Sequence, residues 1–141
     1  KPGDWVYAIR DGIVVANKPF TGPITGFDWW LDTDALLVQD EDGYYVYGEV
    51  ESSLKPGDKV KTGQRIADMK PVLPPEKFRP DIPEHSVTML HLERYNNDYN
   101  PEMGWCSWEN RDSRPIYLED PTNDLIKALT NKGRKAKLLT L

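Results

Sequence analysis

The sequence predicts an all-β fold closed by one late helix. Three observations lead there. The apolar stretches are short and separated by Gly, Pro, Asp and Asn clusters, the punctuation of strands rather than helices. The phrase Lys-Pro-Gly-Asp occurs twice, at Lys1–Asp4 and Lys55–Asp58, with a valine at the same offset (Val6, Val60) and a short apolar strand downstream. A repeated unit of that kind reads as a duplicated structural frame. Helical signals appear only after Asp120, where Asp caps, Pro121 takes the first position, and Leu125, Ile126 and Leu129 form an apolar stripe.

Taken in order, residues 5–16 read as a hairpin. Trp5–Ile9 and Ile13–Ala16 are its strands and Arg10-Asp11-Gly12 its turn. Residues 17–34 hold Pro19, Gly22, Pro23 and Gly26 and read as a loop with an aromatic tip, Phe27, Trp29 and Trp30. Ala35–Gln39 and Tyr44–Val50 are strands joined by the polar turn 40–43, and alternation places Tyr45, Tyr47 and Glu49 on one face. The second Lys-Pro-Gly-Asp turn leads to the strand Arg65–Met69. Residues 70–84, with Pro71, Pro74, Pro75, Pro80 and Pro83, read as an extended loop. Ser86–Arg94 is a strand, 95–113 a polar loop with Trp105 and Trp108, and 115–118 a short strand. The helix is expected over 121–132, stopped by Gly133, with 133–141 as a tail.

Length bounds the answer to one domain, 1–141, large enough for its own core. The net charge of −5 argues against nucleic acid as partner, which calls for a basic face. No apolar run is long enough to span a membrane as a helix. Cys106 is the sole cysteine, so no internal disulfide forms. The chain begins with Lys rather than Met, which reads as a processed product or a fragment.

Several phrases, in this order, carry a resemblance. Pro2–Val14 opens it. Tyr47-Gly48-Glu49-Val50 leads after a short spacer into the Gly-Asp-x-Val-x-x-Gly-Gln run of Gly57–Gln64. Met89-Leu90-His91-Leu92-Glu93 follows, then Arg114–Pro121. Together they resemble the M23 (lysostaphin/LytM-type) zinc endopeptidase family. The resemblance covers most of 2–69 and 86–121, with 17–34, 70–84 and 95–113 as inserted loops. It implies a duplicated-hybrid-motif β-sandwich or barrel.

The family's chemistry needs three zinc ligands, an open position for water and a general base. The resemblance maps these roles onto this chain. The family's Tyr-x-His histidine is replaced by Glu49. The first histidine of its His-x-His is replaced by Met89. The second, a metal ligand, is kept as His91. The remaining ligand phrase, His-x-x-x-Asp, falls before Lys1. His85 and His91 share a strand face but stand roughly 20 Å apart along an extended chain, too far for one metal. No cofactor is therefore expected, and zinc only if an upstream segment supplies ligands. The simpler reading of His91 is a hydrogen-bonded relic, of Glu49 a solvated groove carboxylate, and of Met89 a core or groove filler.

The leading expectation is a non-catalytic M23-like domain, a structural or binding module of a cell-wall-associated or phage-virion assembly. Its partners would be proteins of an envelope or virion, with peptidoglycan as a second candidate. Its place would be the bacterial cell envelope, the extracellular space or the virion. Trp29, Trp30, Tyr45, Tyr47, Trp105 and Trp108 are the expected binding surface, since aromatics concentrate at interfaces. The alternative is an active zinc endopeptidase cutting peptidoglycan cross-links, with Glu49 as base. A lipoyl- or biotinyl-type carrier is the remaining alternative, but it needs a Lys at a hairpin tip, and the turns 10–12 and 40–43 hold none.

Overall fold

The computed structural model describes residues 3–26, 28, 30–74, 88–104 and 114–129. They form one antiparallel seven-stranded sheet curled into a half barrel, followed by a single short helix, so the fold is all-β as the sequence predicts. The strands are β1 (Trp5–Tyr7), β2 (Gly12–Thr21), β3 (Thr33–Gln39), β4 (Gly43–Glu51), β5 (Lys59–Val60), β6 (Arg65–Met69) and β7 (His91–Asn96). Their order is β1-β6-β4-β3-β2-β5, and β7 also pairs with β4. The described part of the helix, α1, is 122–129.

The repeated phrase sets this order. In the second copy Asp58 donates its N–H to the Lys55 carbonyl at 3.0 Å, while Lys55 donates to the Asp58 carboxylate at 2.8 Å. Gly57 has φ 96°, so Pro56 and Gly57 occupy the middle of a type II turn, where only the second position needs positive φ. The copies then exchange partners. β1, from the first, pairs with β6, from the second; β5, from the second, pairs with β2, from the first. Matching bonds seal both exchanges. Gly3 donates to Met69, which donates to Asp4; Gly57 donates to Val14, which donates to Asp58. The Asn17 amide donates at 3.0 Å to the carbonyls of both Ser52 and Leu54, tying down the crossing between copies.

This exchange corrects the predicted first hairpin: β1 and β2 do not pair with each other. The Arg10–Gly12 turn separates them, and Asp11 instead accepts from the N–H and hydroxyl of Thr62. β2 also runs through Lys18, Pro19 and Phe20, where a loop was expected. Pro19 is tolerated because the ladder with β3 shifts register beside it. β7 begins at His91, later than the strand predicted from Ser86. Residues 114–117 form a 3-10 turn instead of a strand, with only Leu118 bridging to Tyr95. Pro115 has no N–H to give a ladder, which favours the turn.

Both faces of the sheet are buried. On one, Tyr45, Tyr47, Leu36, Val38 and Val50 pack with Val6 and Ile66. On the other, Phe20, Leu37, Val46, Tyr95 and Tyr99 form a second cluster. Each such side chain removed from water stabilises the fold by about 1.5–3 kcal/mol. Tyr45 and Tyr47 are thus core, which corrects their assignment to a binding surface. The Tyr47 hydroxyl accepts from the Ile9 N–H at 3.0 Å, which lets a phenol sit inside.

The helix starts as predicted: Asp120 caps it by accepting from the Thr122 N–H at 2.9 Å. Its stripe does not pack as predicted. Leu125, Ile126 and Leu129 are 36, 55 and 72 % exposed. Gly133, the predicted stop, lies outside the described residues.

Candidate functional site

β7 alternates strictly, and that alternation builds the site. Leu92 and Arg94 face the Tyr45 cluster; His91, Glu93 and Tyr95 face the Phe20 cluster. His91 Nε2 lies 2.8 Å from a Glu93 carboxylate oxygen, and the Tyr95 hydroxyl donates to the other oxygen. The His91 ring is tilted against Phe20 at 5.0 Å between centroids. A carboxylate, an imidazole and a phenol are thus joined in one row along a single strand.

Glu49 reaches this row from β4. His91 pairs with Gly48, while the β3–β4 register shifts between Asp34 and Ala35, leaving Glu49 as an extra residue between Gly48 and Val50. The bulge puts Glu49 at φ 63°, the one non-glycine residue with positive φ among the described residues. It also breaks the expected alternation. Val50, not Glu49, joins Tyr45 and Tyr47 on their face. Gly48 is required beside it, since a Cβ there would stand 2.7 Å from the Phe20 ring.

Burial pushes the Glu49 carboxyl up, and the charge of His91 pulls it partway back. Its Oε2 is buried with no hydrogen-bond partner among the described residues. A buried acceptor left unpaired costs about 1–3 kcal/mol, so its persistence asks for a reason. The expected solvated groove carboxylate is therefore half-buried.

Met89 is 60 % exposed just before β7, which removes the core half of its reading as a core or groove filler. Trp30 is half-buried; Trp29, Trp105, Trp108, His85 and Cys106 lie outside the described residues. Among the described residues the exposed aromatics are Trp5 and Tyr7, at 6.3 Å between ring centroids, with the Arg65 guanidinium over Trp5 at 4.4 Å and held by Asp68. Sequence reading passed over this cluster because it took β1 as half of a local hairpin. It also gave no role to Glu93, Tyr95 or Phe20. The period of two from His91 was the signal for the first two; Phe20 had none, being assigned to a loop.

Zinc needs three converging protein ligands. Among the described residues no group of three or more His, Cys, Asp and Glu side chains is placed to hold a metal ion. His91 and Glu49 are neighbours, but His91 Nε2 is engaged by Glu93. The described donor set does not by itself fit zinc. What the row holds is a carboxyl raised by burial, within electrostatic reach of an imidazole that is itself bonded to a second carboxylate.

Comparison of the chain with family models, with curated proteins and with solved structures gave no match.

Proposed function

We propose that this chain is a non-catalytic M23-like domain, a structural or binding module in a cell-wall-associated or phage-virion assembly. One observation carries the reading. Of the family positions within the chain, Glu49 and Met89 have lost the histidine, and His91, which keeps it, has its Nε2 bonded to Glu93. The exchanged two-copy frame supports the same reading, because the scaffold persists where the chemistry is replaced. The Trp5–Tyr7–Arg65 cluster supports binding, since these three residue types dominate interface hot spots. Protein partners are favoured, with peptidoglycan second.

The test is metal analysis of the full-length protein together with digestion of cell-wall peptides. The binding-module reading expects substoichiometric zinc and no turnover. Stoichiometric zinc with peptide cleavage overturns it and supports the second reading, a zinc endopeptidase completed by upstream ligands. The observation favouring that second reading is the raised Glu49 carboxyl beside His91, which suits a proton-transferring group.

A further inference from the structure

The helix α1 is seated the wrong way round for an amphipathic helix. Its half-buried positions are Asp124 and Ala128, in line with Pro121 just before it, one helical face. Its large apolar residues lie on the exposed side. Among the described residues, what fastens it is polar. The Asp124 carboxylate accepts from the Tyr45 hydroxyl at 2.6 Å, and the same oxygen stands 3.8 Å from Arg10 Nη1. Tyr45 is itself core, with Arg94 stacked on its ring at 4.5 Å, so the anchor is rigid on the sheet side. Before the helix, the chain is tied to β7 by the Glu119 N–H donating to the Arg94 carbonyl at 2.8 Å.

We propose that α1 is a releasable strap, fastened to the sheet by Asp124 and freed by ionic strength. Most helical stability in proteins comes from packing against the rest of the fold, so the order of the described turns depends on docking. Docking here lacks a buried apolar stripe, the usual source of helix stability. The Asp124–Tyr45 bond and the Arg10 ion pair replace it. The Arg10–Asp124 pair is partly exposed on both sides, and salt screens such pairs. The strap therefore opens as a local unit while the sheet stays intact, in the manner of low-stability segments of a fold. Two states follow. Docked, α1 covers the Tyr45 hydroxyl and turns Leu125, Ile126 and Leu129 outward. Released, it uncovers that hydroxyl and Arg10.

Hydrogen exchange of the whole chain tests this, read separately over 122–129 and over β3 and β4. Tyr45→Phe removes one oxygen and leaves the ring under Arg94. Asp124→Asn removes the charge. Each is expected to speed exchange over 122–129, by up to about tenfold, through loss of the hydrogen bond in the first and of the acceptor's charge in the second, with β3 and β4 unchanged. Raising salt from about 0.01 M to about 1 M is expected to speed wild-type exchange there and to have little effect in Asp124→Asn. Leu129→Ser is expected to change nothing. The proposal is overturned if Leu129→Ser speeds exchange as much as Asp124→Asn, or if neither anchor variant changes it. It is likewise overturned if salt has no effect on the wild type, or if β3 and β4 lose protection together with the helix.

Discussion

Two charged groups are buried beside the pairing of β4 with β7, one on each face, and they are treated in opposite ways. Arg94 and Asp40 have side chains 3 and 2 % exposed and are joined by two bonds, Nη1 to Oδ2 and Nη2 to Oδ1, the latter at 3.0 Å. Arg94 also stacks on Tyr45, and Arg10 approaches Asp40 at 3.7 Å. Nothing there is left unsatisfied, and nothing there could take up a ligand without breaking the pair. Across the sheet, Glu49 keeps a buried oxygen unpaired, on a backbone at positive φ. A fold that can pair one buried charge so fully had the means to pair the other. The contrast separates a buried charge that is fully paired from one that, among the described residues, is left strained and partly unpaired.

The contrast can be broken or sharpened by substitution. The largest effect is expected at the paired charge. Arg94→Ala leaves Asp40 buried without its partner and should cost about 3–5 kcal/mol in denaturant unfolding. The double variant Arg94→Met with Asp40→Leu should recover most of that loss, because an apolar pair of similar volume needs no desolvation. If the double variant is as unstable as the single, the pair does more than satisfy itself.

Next is Gly48→Ala, whose new Cβ would press on Phe20. A cost of about 1–3 kcal/mol is expected, relieved in part by adding Phe20→Leu. A neutral Gly48→Ala would mean that the Phe20 ring yields, and that the wall beneath His91 is soft. Tyr95→Phe comes third. It removes the hydroxyl that donates to Glu93 and should cost about 1 kcal/mol in denaturant unfolding.

The smallest effect, and the one of opposite sign, belongs to Glu49→Gln. Burial raises the Glu49 carboxyl above its ordinary 4.5, so the folded state prefers the protonated form. Its contribution to stability is present below pH 4.5 and is lost as pH rises through the folded pKa. Glutamine is neutral throughout. The variant should therefore match the wild type at acidic pH and gain slightly at neutral pH, a gain limited by the solvent that still reaches the group. Urea midpoints between about pH 4 and pH 8 read this directly. A variant less stable than wild type at neutral pH would show that Glu49 is paired after all, and the contrast with Arg94 would vanish.

The parts of this molecule legible in its sequence are those set by local chemistry. The Lys-Pro-Gly-Asp turn follows from Pro56 and Gly57 alone. The β3–β4 hairpin follows from apolar runs either side of 40–43, and the Asp120 cap from its place before Pro121. What sequence could not supply was which strand meets which. Val6 and Val60 look alike from sequence, yet β1 goes to β6 and β5 to β2. Tyr45 and Tyr47 read as a surface because one face of the strand was assumed to be wet; a curled sheet buried on both faces removed that choice. At the site, His91 and Glu49 were found as positions in a resemblance, while their neighbours were not. The bulge that swings Glu49 toward His91 depends on pairing with β3 and β7, and no residue of Gly48–Val50 announces it.

The exchanged strands bear on the order in which this chain becomes a structure. As it leaves the ribosome, β1 has nowhere to go until β6 follows, since Trp5 aligns with Asp68 and Val6 with Ala67. The β2–β3–β4 meander can zip locally, but its flanks must stay open meanwhile. Closing them means gathering distant segments, the kind of contact that slows folding of β proteins. A half-built sheet with unpaired edges would be prone to sticking to its own kind. Its safe completion is expected to hinge on how quickly the second turn, Lys55–Asp58, brings β5 and β6 home together.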